Sequence, residues 1–253
     1  IQSSGTLAIE TDGSVSIADD ITTSGTVSIV ANDDCSGGEA TTILSGADIT
    51  AGQLTITGDI ALSGGLNVGS GTLHFIEKCE TGNSIGIGGS SLTDALSIDD
   101  TEISKLTLTS SGTLKFQSTQ GIIDVNAVVQ SSEMANTNSA PVVIITTAAK
   151  DVVFQTATST FHTLTVTSGG GIDVEYDLST TSGNLILTYA AGNLDFSADA
   201  DLTSAGSIGL SGYGTTTAGA TSLTAATSLS VAGTNEITVG GNFGLYATTT
   251  RAC

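Results

Sequence analysis

The chain has 253 residues with 32 Gly, one Pro, no Trp and 4% aromatic residues, which excludes a core built on a few large side chains and leaves rows of Val, Ile and Leu to do the packing. Its 25 Asp and Glu against 5 Lys and Arg give a formal net charge of −20, which excludes a nucleic-acid-binding surface. No apolar run approaches the roughly 18 residues of a membrane-spanning helix. The acidity reads either as a solvated, aggregation-resistant surface or as carboxylates bridged by divalent cations.

Repetition appears at once. Ser4-Gly5-Thr6-Leu7-Ala8-Ile9 recurs twenty residues later as Ser24-Gly25-Thr26-Val27-Ser28-Ile29, with Gly13-Ser14-Val15-Ser16-Ile17 between them. A coil of about twenty residues holding two or more short strands follows. From Gly52 to Phe75 the unit is a turn residue, usually Gly, and an apolar-x-apolar triplet: Leu54/Ile56, Ile60/Leu62, Leu66/Val68 and Leu73/Phe75. This period of two is that of strands with one buried face.

Further triplets come at Ile85/Ile87, Leu96/Ile98, Leu106/Leu108, Ile123/Val125, Val143/Ile145, Leu164/Val166, Ile172/Val174, Leu185/Leu187, Leu194/Phe196, Ile208/Leu210, Leu229/Val231, Ile237/Val239 and Phe243/Leu245. The stretch 126–140 lacks them and reads as a projecting loop; a second loop is expected over Glu77 to Asn83. Gly183-Asn184-Leu185, Gly192-Asn193-Leu194 and Gly241-Asn242-Phe243 share one turn grammar, which predicts Asn stacked on Asn in neighbouring coils.

The pattern predicts one all-β domain over 1–253, a parallel β-solenoid of about twelve coils at roughly twenty residues each. With coils about 4.8 Å apart the rod would be on the order of 55–60 Å long. The competing architecture is a β-sandwich array, because short strands at this spacing are also its signature. The Gly-Asn-Leu-x-Leu and Ser-Gly-Thr-Leu-x-Ile units resemble the β-helix repeats of filamentous-haemagglutinin-type adhesins and autotransporter-like passengers, although no Asn-Pro-Asn-Gly-like secretion motif is present. The resemblance implies a right-handed parallel β-helix, exported and working as a stalk or fibre.

Few residues point to chemistry. Asp195, Asp199 and Asp201 are the candidate calcium ligands, the last two alternating onto one side. Asp99-Asp100 and the same trio are the candidate acid/base carboxylates of a polysaccharide lyase or hydrolase, but the one Arg is Arg251 and the four Lys are scattered, so the cationic group such a site needs is missing. No enzyme is expected, and no cofactor other than calcium. His74 and His162 read as surface or turn residues. Thr55/Thr57, Thr107/Thr109 and Thr163/Thr165/Thr167 are what an ice-binding face would use, yet their steps do not match successive coils. Cys35 and Cys79 form a candidate disulfide, and Cys253 a candidate intermolecular link. No Asn-x-Ser/Thr sequon occurs, so N-glycosylation is excluded.

The resulting expectation is a secreted, extracellular or cell-surface subunit of a filament, joined end to end to copies of itself through uncapped solenoid ends. The alternative is an adhesin stalk binding surface glycans. Neither a nucleic acid nor a membrane span enters either reading.

Overall fold

The computed structural model describes residues 1–35, 40–79, 83–89, 96–129, 132–197, 200–212, 216–218, 221–233, 237–239 and 243–247. The chain is a parallel β-solenoid with three faces, visited in the same order by each coil. The second face is one unbroken sheet of ten strands, from Leu7–Glu10 to Leu229–Gly233. The first face consists of two five-stranded sheets, from Gln2–Ser3 to Leu106–Leu108 and from Ser159–Phe161 to Phe243–Ala247. The third consists of a three-stranded sheet from Val15–Ile17 to Asp59–Leu62 and an eight-stranded sheet that ends at Ile237–Val239. Ten strands on the second face mean ten coils, two fewer than the twenty-residue repeat predicts, and a rod of about 45–50 Å.

The core is made of in-register rows. Leu7 lies under Val27, then follow Leu54, Leu73, Leu114, Val142, Leu164, Leu185, Ile208 and Leu229. Two residues on, the parallel row contains Phe75 and Phe116, whose rings stack with centroids 5.5 Å apart. Steps along the first row start near twenty, but Leu73 to Leu114 is twice that. The surplus builds an extra strand, Leu96–Ile98, which sits between Asp59–Leu62 and Asn83–Ile87 on the third face although it follows both in sequence.

Glycine recurs before the triplets because the corner between the first and second faces has no room for a side chain. A Cβ on Gly25 would lie 2.4 Å from the Gly5 carbonyl oxygen, and one on Gly71 would lie 1.7 Å from that of Gly52. The coils touch backbone to backbone here.

Two details depart from the alternation read in the sequence. At Val142–Thr146 the buried pair is Val142 and Ile144, while Val143 and Ile145 face outward. Four consecutive apolar residues carry no phase of their own; the register against Leu114 and Leu164 supplies it. The described part of the stretch 126–140 is folded into the wall: Val128, Met134, Thr137 and Ala140 are buried, and a short 3₁₀ turn, Ala135–Thr137, packs beside Leu106–Leu108 where the first face is interrupted.

Candidate assembly surfaces and the acidic steps

Many of the acidic residues are built into the stacking of the coils. Where the chain turns into the first face, Asp20 Oδ1 accepts the Asp48 N–H at 3.0 Å and Asp48 Oδ1 accepts the Gly65 N–H at 2.7 Å. The arrangement recurs further up: Asp177 Oδ1 accepts the Asp201 N–H at 2.9 Å and Asp201 Oδ1 accepts the Ser222 N–H at 2.7 Å. Each carboxylate is thus a step between one coil and the next, a charge-assisted hydrogen bond to a backbone donor at a corner. The equivalent step from Asn184 goes to the Ser207 N–H at 2.9 Å, so this Asn bonds to backbone and not to another Asn.

The two described members of the candidate calcium trio lie in different settings. Asp195 lies on the outside of the third face, in register with Asp173 one coil earlier. Asp201 is the corner step just described, and Asp199 lies outside the described residues. Among the described residues no group of three His, Cys, Asp or Glu side chains is placed to hold a metal. Asp173 belongs to none of the motifs singled out above, yet its carboxyl is pushed above the usual range, first by burial and then by the charges of Asp195, Asp151 and Glu175. The signal that finds it is its spacing from Asp195, one coil length.

The Asp99-Asp100 pair is equally engaged. Asp99 Oδ1 accepts the Glu102 N–H at 2.8 Å, and Glu102 accepts the Asp99 N–H in return, which makes a capping box for the single-turn helix Asp100–Ile103. Asp100 Oδ1 accepts the Gly89 N–H at 2.6 Å. Glu102 also accepts the Leu62 N–H at 2.7 Å, and Lys105 donates to the Leu62 carbonyl at 2.6 Å. These groups therefore tie the inserted strand and helix to the third coil.

Cys35 and Cys79 are joined in a disulfide across 44 residues. Beside it Lys78 makes an ion pair with Asp33, whose carboxyl is held below its ordinary range by that contact. Cys253 lies outside the described residues. His162 bridges three hydroxyls: Ser139 at Nε2, and Thr181 and Ser182 at Nδ1, each at 3.1 Å. His74 stands on the outside of the second face between Thr55 and Lys115. That register also breaks up the threonine rows, since Thr55 is flanked by Ser28 and His74, and Thr165 by Val143 and Ile186.

Among the described residues, the outermost strands of the second face pair on one side only. Leu7–Glu10 pairs with Thr26–Val30 alone, and Leu229–Gly233 with Ile208–Gly212 alone. Inward-facing apolar groups are partly open at both levels: Leu7 and Ile9 are half-buried and Val231 is 39% exposed. No family model, no curated protein and no solved structure matches the chain.

Proposed function

We propose that the chain is a structural subunit of an extracellular filament, in which the last coil of one copy stacks on the first coil of the next. The observation that supports this reading is that the sheet keeps one register out to both of its outermost described strands. Strands Leu7–Glu10 and Leu229–Gly233 belong to the same sheet, with the same inward rows. A further coil therefore fits at either level in the established register, giving a heterologous contact that propagates without closing. A disulfide favours an oxidising compartment.

The test is electron microscopy and sedimentation of the purified chain beside an Ile9→Lys variant, which puts an inward-pointing charge on the open edge, a device that blocks strand addition. Wild-type chain is expected to form filaments that lengthen with concentration, and the variant to stay short. A wild-type chain that remains monomeric at high concentration rejects the proposal.

A further inference from the structure

The acidic residues are not spread evenly around the rod. The third face carries Asp59, Asp173 and Asp195 at partly exposed positions of its strands, with Asp124 buried among them, and the rim of the first face carries Asp20, Asp48, Asp177 and Asp201. On the ten strands of the second face the outward side chains include one acid, Glu10 in the first strand, and one cation, Lys115. Glu77, the other acid in these strands, is buried at the corner. The remaining outward positions are Ser, Thr, Gln, Ala, Gly, His74 and Val30, with an apolar group around the middle: Ile76, Val143, Ile145 and Ile186, the last 36% exposed.

We infer that the second face is a lateral interface for a second copy of this chain, so that rods associate side by side through it. Two bodies of net charge −20 repel on approach through their acidic faces, whereas the neutral face brings no carboxylates together beyond Glu10. The size is adequate. Ten strands about 4.8 Å apart, each offering about five residues at about 3.3 Å, give about 700 Å² per partner, close to the roughly 800 Å² per partner of a standard stable interface. Among the described residues, the ten-stranded sheet is also the one face that no inserted strand or 3₁₀ turn interrupts. Acidic side chains then face solvent on the outside of the pair.

The inference is independent of end-to-end growth and is tested with that growth switched off. In the Ile9→Lys background, light scattering coupled to gel filtration is expected to give twice the 25.0 kDa chain mass. Ile186→Asp, and separately Val143→Asp with Ile145→Asp, should weaken pairing about tenfold or more, since an unpaired charge buried in a neutral interface costs more than the 1.4 kcal/mol that tenfold represents. Thr203→Asp, on the first face, should leave it unchanged. Circular dichroism melts identify any variant that has lost its fold, and the exposed Ile186 position keeps the test usable if the double variant does. Monomers across the whole concentration range, pairs that survive Ile186→Asp, or equal loss with Thr203→Asp overturn the inference. Monomers that bind a neutral glycan array through this face also overturn it and assign the surface to carbohydrate. Long single filaments with no side-by-side pairing would sink the lateral contact and leave the filament reading intact; short paired rods would do the reverse.

Discussion

His74 is a histidine that folding keeps neutral. Its Nε2 is buried without a hydrogen-bond partner in the structure, and its pKa is pulled down to about 4, chiefly by burial and then by Lys115, against a hydrogen bond to Gln117 that acts to raise it. An unfolded histidine titrates near 6.5. Between about 6.5 and about 4 the unfolded chain therefore binds the extra proton, so this group's stabilising contribution is complete above that window and lost as pH falls through it. Burial raises the carboxyls of Asp59, Glu102, Glu133 and Asp173, which act in the opposite sense, because protonation there favours the folded chain. Urea midpoints measured on both sides of the window should accordingly fall less on acidification in His74→Gln than in the wild type; equal slopes would contradict the assignment. The carboxylate steps make a second prediction. Asp201→Ala removes the acceptor for the Ser222 N–H and should cost about 1 kcal/mol, whereas Asp201→Asn keeps an oxygen there and should cost much less. If thermal melts of the two variants coincide, the step is not structural.

Among the elements, the corner after the second face shows how neighbouring coils share space. Tyr189 and Gly212 are in register, and a Cβ on Gly212 would lie 2.4 Å from the Tyr189 ring. Gly212→Ala should therefore destabilise by about 1–3 kcal/mol, and Tyr189→Ala in the same chain should remove most of that penalty. Additive effects in a double-mutant cycle would show that the ring and the glycine do not share this space. The disulfide links the second coil to the fourth. By loop-closure entropy a cross-link enclosing 44 residues contributes about 3–4 kcal/mol. Reduction, or Cys35→Ser with Cys79→Ser, should lower the melting temperature while leaving the strand spectrum in place.

At the scale of the whole molecule, a net charge of −20 makes the rod repel itself. Screening should raise the melting temperature as monovalent salt is increased from low ionic strength. Calcium at matched ionic strength is expected to add nothing further, since Asp201, one of the candidate ligands, already has an oxygen committed to the Ser222 N–H. A calcium-specific rise that is reversed by chelator and lost in Asp195→Asn with Asp201→Asn would instead establish a site at those residues.

What the residues determine alone is the local rule: a corner glycine followed by alternating apolar positions yields a short strand with one buried side, and a recurrence near twenty yields stacked coils. The triplets at Leu54/Ile56, Leu73/Phe75 and Leu185/Leu187 are legible because alternation is a property of a single strand. First-face strands such as Ile21–Thr23, Leu178–Thr180 and Leu202–Ser204 are not, because their second inward residue is a hydroxyl that pairs with a corner carbonyl, Gly5 for Thr23 and Gly183 for Thr180 and Ser204. Tertiary structure alone decides the phase of Val142–Thr146, the reversed position of Leu96–Ile98 and the gathering of neutral side chains onto one face. Each of these is set by what lies one coil above and below, twenty to forty residues away in the chain, and no local pattern carries that information.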